Sequence, residues 1–151
     1  MTVRELTGNA EVTTSASSEQ CMSLLVAVDR YPTWYSDVAR EVDVLDRDER
    51  GHPTKARTKL HVHYGPLAHD FDLTMAVVVD PAGVVKLTRV PHHDRDEERF
   101  DVTWRVRGSQ LTQIRLELVA GLSVPRFVPL GGVGDSMAEG FVTAAKRELE
   151  S

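Results

Sequence analysis

The stretch DRYPTWYSDV, residues 29–38, sets Tyr31, Trp34 and Tyr35 around Pro32 and holds two of the chain's three Tyr and one of its two Trp. Aromatic side chains of this size in a connection cover something, a core or a ligand, while the phenol or indole tip seeks a polar partner. The expectation is that Trp34 plugs the connection from beneath. Tyr31 and Tyr35 reach a cavity mouth with their hydroxyls wet. The alternative is that all three only seal the core.

Other residues suggest chemistry less strongly. His61 and His63 point the same way on a strand, a spacing zinc ligands use, but they share a face with Arg57 and Lys59 and no acidic third ligand is fixed by spacing. They read as a solvated outer face, as do His69 and the pair His92-His93. GGVG (131–134) lacks the Lys-Ser/Thr of a phosphate loop, and Met137 stands where a dinucleotide fingerprint needs a third glycine. It reads as a flexible lead into a helix that could gate a cavity. Cys21 is read as inert core. Ser123, Ser136 and Asp135 make no nucleophile–base arrangement, and no Asp or Glu falls on an inward strand position for acid–base work. No metal or cofactor is expected.

Composition narrows the classes. A chain of 151 residues with a net charge of −5 is expected to be one domain, 1–151, with residues 1–7 as a flexible N-terminus. Its basic residues are scattered beside acids, as in DRDER (46–50) and HDRDEER (93–99), so no nucleic-acid partner is expected. A lone cysteine, no signal-peptide-like start and no apolar run of membrane length point to a cytoplasmic protein, monomer or homodimer.

The elements that must position the aromatics follow from periodicity. A strand over 9–16 precedes a helix that Ser17 or Ser18 can cap, Gln20 fitting the Ser17 frame of a capping box. Cys21, Leu24, Leu25 and Val28 form its apolar stripe. Asp29 and Pro32 end it, and TWYSDV makes a second short helical turn. From 38 to about 122 the period becomes two. Leu60, Val62 and Tyr64, then Phe71, Leu73 and Met75, then Val102 and Trp104, then Ile114 and Leu116 fall on apolar faces; Gly65-Pro66 breaks one run and Pro81-Ala-Gly83 turns another. Asp135 is the expected N-cap of a last helix over about 136–150, with Met137 and Phe141 on its apolar stripe. The fold class is α+β: a curved antiparallel sheet of six to seven strands around a long C-terminal helix, with two short helices after the first strand. Ends of such a sheet splay from the helix and leave room for a cavity.

These residues resemble the START-like, helix-grip superfamily, which includes polyketide cyclase/dehydrase-type and coenzyme-Q-binding START-like proteins. The likeness rests on the element order and on three passages: DRYPTWYSDVAREVDVL (29–45), similar to the family's stretch after its first helix; the Gly51 turn with the outward-alternating strand after it; and VPRFVPL (124–130), similar to the proline-bearing lead into the closing helix. It spans about 8–150. The resemblance implies a hydrophobic cavity between helix and sheet with the aromatic connection near its mouth. It implies no particular reaction. The chain departs from aromatase/cyclases in having no set of polar residues at cavity-facing strand positions.

The reading is therefore a binding protein rather than an enzyme. A hydrophobic small molecule (lipid, isoprenoid, quinone or polyketide) would lie among Tyr31, Trp34, Tyr35, Leu60, Val62, Tyr64, Phe71, Leu73, Met75, Val102, Trp104, Ile114, Leu116, Met137 and Phe141. Tyr31, Tyr35, Tyr64 and Trp104 would orient it, and the two Met would adapt to it. The alternatives are a polyketide cyclase/dehydrase-type enzyme, which an inward carboxylate or Arg would favour, and a protein-interaction module, which an exposed apolar patch without a pocket would favour. A cavity too small for any ligand would count against the carrier.

Overall fold

The computed structural model describes residues 2–64, 67–108 and 110–151, leaving out the side chains of Thr2 and Tyr64. The expected Gly65-Pro66 break and the predicted role of Tyr64 lie outside those residues. Seven strands, β1 (Thr2–Thr14), β2 (Ala39–Arg47), β3 (Pro53–Tyr64), β4 (Leu67–Asp80), β5 (Val84–Arg89), β6 (Arg99–Gly108) and β7 (Thr112–Val124), form one sheet. Its order is β1-β7-β6-β5-β4-β3-β2, with every neighbouring pair antiparallel. The helices are α1 (Ser18–Val26), α2 (Tyr31–Trp34) and α3 (Val133–Leu149).

Alternation sets the faces. Along β7 the buried residues are Thr112, Ile114, Leu116, Leu118, Ala120, Leu122 and Val124, and β3, β4 and β6 bury their predicted apolar faces toward the same side. Three register shifts in β2 against β3 add twist to that edge. Ser17 caps α1 with a complete capping box to Gln20.

Four boundaries differ from expectation. Residues 2–7, expected to be flexible, belong to β1. Leu6 is buried, and Arg4 Nη1 donates to the carbonyls of Pro125 and Val128 at 2.8 Å each, tying the strand to the lead into α3. β7 runs on to Val124, past the expected end of the period-two run at about 122, because Leu122 and Val124 still have apolar surface to bury. Pro32 sits in the first turn of α2 rather than ending a helix, a position where its missing N–H costs nothing. α3 starts at Val133 after Gly132, not at an Asp135 cap. Asp135 instead accepts from Asn9 N at 3.1 Å.

That contact belongs to a clamp between α3 and β1. Gly8 and Gly134 meet backbone to backbone, and a Cβ on either would overlap the other element's main chain. At the far end Thr14 Oγ1 donates to Glu150 Oε2 at 2.7 Å. α3 is thus fixed along the β1 edge while its apolar stripe, including Met137, Phe141 and Ala145, faces the concave side of the sheet.

Candidate functional site

The apolar faces converge on a cavity of about 40 Å³. Of the predicted site residues, Tyr31, Leu60, Met75, Val102, Trp104 and Phe141 wall it, joined by Val28, Ala39, Val42, Thr58, Leu87 and Phe100, which the sequence reading left out. Val62, Ile114, Leu116 and Met137 are buried elsewhere in the core. This closed space is smaller than a ligand: it suits about one water, whereas small-molecule pockets span about 300–1,000 Å³. The cause is aromatic filling. The rings of Tyr31, Trp104 and Phe141 stand edge to face, with centroids 6.0–6.5 Å apart.

A second ring layer lies outside the first. Trp34 packs on Tyr31 at 4.9 Å and Tyr35 on Phe141 at 4.7 Å, and Trp34 and Tyr35 stack on each other at 6.4 Å. Trp34 and Tyr35 do not touch the inner cavity. They line an outer cleft of about 480 Å³ with Ser36, Asp37, Ser136, Glu139, Thr143 and Arg147. Two ring pairs therefore separate an apolar interior from a polar cleft. Tyr35 lies over Gly140 of α3, where a Cβ would overlap its hydroxyl. Burial raises the Tyr35 phenol pKa, and the Asp37 carboxylate adds to the rise.

Tyr31 corrects the sequence reading. Its hydroxyl is not wet: the side chain is buried and the O–H donates to Leu25 O at 2.6 Å. That carbonyl is in the last turn of α1, where main-chain oxygens lack helical partners. Burial drives the phenol pKa far up. The indole N–H of Trp104 lies beside this hydroxyl, an influence opposing the burial effect, yet it meets no acceptor in hydrogen-bond geometry. Among the described residues the buried side-chain polar atoms without a partner are Trp34 Nε1, Trp104 Nε1 and Arg89 Nε. All are N–H donors.

Arg89 is the residue sequence reasoning missed. Val85, Leu87 and Arg89 alternate onto the buried face, a signal legible in VVKLTR had the charge not suggested solvent. Its side chain is 5% exposed and pairs with Asp96, 8% exposed, at 2.7 Å. Nη1 donates to Glu98 O at 2.9 Å. Asp96 also accepts from the backbone N–H of His92 and Glu98, and together these bonds, the Arg89 guanidinium first, hold its carboxyl well below the usual range. Phe71 and Leu73, predicted for the cavity, instead line a recess of about 530 Å³ beside this pair.

The histidines stay apart from the interior. His61 Nδ1 meets Asp70 Oδ1 at 2.5 Å on the outer face, and this bond, first among the causes, lowers the Asp70 pKa. Among the described residues no group of His, Cys, Asp or Glu is placed to hold a metal ion. Cys21 is fully buried, which raises its thiol pKa. A wider depression, about 1,050 Å³, opens to solvent between α1 and the strand turns, rimmed by Glu19, Asp48, Arg50, His52 and Arg107. The apolar faces of sheet and helix do not converge there.

Comparison with known proteins places the chain by fold. A family model described as polyketide cyclase/dehydrase and lipid transport matches residues 14–146. No curated protein matches in sequence. Among solved structures, a START superfamily protein from Mycobacterium smegmatis superposes with TM-score 0.73 at 18% identity, covering 95% of this chain and 97% of its own. An aromatase/cyclase from a Streptomyces species gives 0.71 at 17% identity, with coverages of 97% and 94%. A STAR-related lipid transfer protein from Xanthomonas axonopodis gives 0.64 at 16%, with coverages of 95% and 85%.

Proposed function

Because the chain belongs to the family of polyketide cyclases/dehydrases and lipid-transport proteins, whose model spans residues 14–146, we propose that it binds a hydrophobic small molecule between the sheet and α3. The ligand class is a lipid, isoprenoid, quinone or polyketide. One observation carries the reading: two ring pairs, Tyr31–Trp34 and Tyr35–Phe141, divide an apolar cavity from an outer cleft of about 480 Å³. The closed interior fails the size criterion for a ready-made pocket, so binding requires those rings to part. Parting the inner rings Tyr31 and Phe141 together with the outer rings Trp34 and Tyr35 would join the two spaces into one of ordinary pocket size. An apolar body would then replace the ring contacts inside, and a polar end would face Asp37, Glu139 and Arg147. The fold relatives include one protein named for lipid transfer and another named aromatase/cyclase, which fits this reading.

Native mass spectrometry of the purified protein, followed by denaturing extraction, tests the proposal. A co-purifying apolar molecule, or saturable binding from a panel of lipids, quinones and polyketides, is the expected result. An empty protein that binds none of the panel overturns it.

One observation favours the enzymatic alternative. Arg89 is a charged side chain on the concave face, and an inward Arg is what a cyclase/dehydrase-type reaction would use on a carbonyl compound. Its donors are turned to Asp96 and Glu98, however. Turnover of a poly-β-carbonyl substrate that Arg89→Met abolishes without loss of binding would establish that reading.

A further inference from the structure

One strand of the sheet outruns its neighbour. β5 ends at Arg89, and its pairing with β4 spans only Met75 to Asp80, extended by one bond from Val90 N to Thr74 O at 2.7 Å. Residues 69–73 of β4 therefore pair with β3 alone. Ladder parity shows which main-chain groups are left over. His61 N donates to Val38 O, away from β4, so β3 bonds β4 through the odd-numbered residues of β4. The even-numbered residues of β4 turn to the other side, as Thr74 does, and there Asp70 and Asp72 meet no strand. Among the described residues no hydrogen bond from the 90–98 connection reaches the main chain of either. The recess of about 530 Å³ lies along this edge, walled by Asp70, Phe71, Asp72 and Leu73 on β4 and by His92 and Glu98 from the connection.

The two outer edges of the sheet are protected. β1 is covered by α3, whose Gly134 abuts Gly8 and whose Asp135 accepts from Asn9 N. β2 shifts register three times against β3, and bulges of that kind spoil an edge as a template for pairing. The β4 edge has neither device: its register against β3 runs unbroken from Lys55↔Ala76 to Tyr64↔Leu67. A straight edge with unmet N–H and C=O groups takes up an extended chain. The two faces of β4 specify that chain's side chains. Phe71 and Leu73 are on the buried side, which suits apolar residues, and Asp70 and Asp72 are on the exposed side. Asp72 is met by Arg57, whereas Asp70 meets the imidazole of His61. Across the recess the connection carries Asp94, Glu97 and Glu98, besides the Asp96 that Arg89 neutralises, against Arg95 and the two imidazoles of His92 and His93. The exposed side therefore favours Lys or Arg in the incoming chain. We propose that the free edge of β4 at Asp70 and Asp72 docks an extended peptide segment of alternating basic and apolar residues, added to the sheet as a strand in the gap that β5 leaves. This site shares no wall residue with the inner cavity or the outer cleft, and it stands apart from the apolar-ligand reading.

The probe is a capped heptapeptide of alternating Lys and Val. Titrated into the isotope-labelled full chain, it should bind saturably, move the amide resonances of Asp70 and Asp72 downfield and slow hydrogen exchange at both. Two modified peptides separate main-chain pairing from charge attraction, one N-methylated at the Lys positions and one at the Val positions. Successive residues of a strand turn their main-chain groups to opposite edges. One version should therefore lose roughly tenfold or more in affinity, the loss of two or more main-chain hydrogen bonds, while the other binds nearly as the parent does. A peptide of alternating Glu and Val should bind roughly tenfold more weakly than the parent, and in Asp70→Lys that difference should narrow. Equal losses from the two N-methylated versions, a Glu peptide that binds as well as the Lys peptide, resonance shifts confined to β2, or no binding of the parent peptide each overturn the proposal.

Discussion

The concave face of the sheet treats its buried donors in two ways. At the end of β5, Arg89 is enclosed with its charge met by Asp96 and a second hydrogen bond to Glu98 O. Beneath α3, Trp104 is enclosed with its N–H unmet. A buried cation without a counter-charge costs far more than a buried neutral N–H, so the fold must meet the charge of Arg89, although its Nε still lacks a partner, while no such demand is made at Trp104. The Arg89 end is consequently held by charge, and the Trp104 end by the packing of rings.

The largest effect that separates the two ends is on packing. Trp104→Ala should cost about 3–5 kcal/mol in urea denaturation, the usual range for emptying a large aromatic site, because its neighbours Tyr31 and Phe141 are held by other rings. A loss well below that would show that the interior already collapses freely. At the other end the signature is pH dependence. The Asp96 carboxyl is held down chiefly by the Arg89 guanidinium, so its contribution is present above the unfolded carboxylate value of about 3.9. That contribution is lost as pH falls below this value through the folded one. Asp96→Asn should therefore destabilise at neutral pH, and its deficit against the wild type should shrink as the pH is lowered through that window. A deficit constant from pH 7 down to the acid transition would show that the charge pair contributes nothing.

How much of this could be read beforehand differs along the chain. Alternation in β3, β4, β6 and β7 and the Ser17–Gln20 box were legible because a period-two face and a capping pair are local signals. The DRYPTWYSDV rings were legible as a cover. Which ring faces inward was not, because that depends on the Leu25 carbonyl and on Gly140, contributed by α1 and α3. The volume of the interior was not legible either. Side-chain types place rings on a face, but only the crossing of α3 decides how closely Phe141 meets Tyr31 and Trp104. Arg89 was lost for another reason: its charge outweighed its position in the Val85-Leu87-Arg89 alternation, while the partner that makes it tolerable lies in the β5–β6 connection.

The ring layer over the Trp104 end gives the next test. In Gly140→Ala a new Cβ overlaps the Tyr35 hydroxyl. Helix propensity favours Ala over Gly by about 1 kcal/mol, against an overpacking cost of about 1–3 kcal/mol. A net loss of about 1 kcal/mol and freer exchange of the Tyr35 ring are expected. The double variant Gly140→Ala/Tyr35→Ala should be more stable than the sum of the two single changes predicts, since removing the ring removes the clash. Additive changes in chemical denaturation would place Tyr35 away from α3.

The smallest effect tests the other face of the same layer. Tyr31→Phe keeps the ring and its packing on Trp34, Trp104 and Phe141 but leaves Leu25 O without its donor. The expected loss is about 1 kcal/mol, the net value of a buried hydrogen bond, read as a shift in the urea midpoint at unchanged slope. A Tyr31 hydroxyl at a wet cavity mouth would give the opposite result, an unchanged urea midpoint, because water would replace the lost partner.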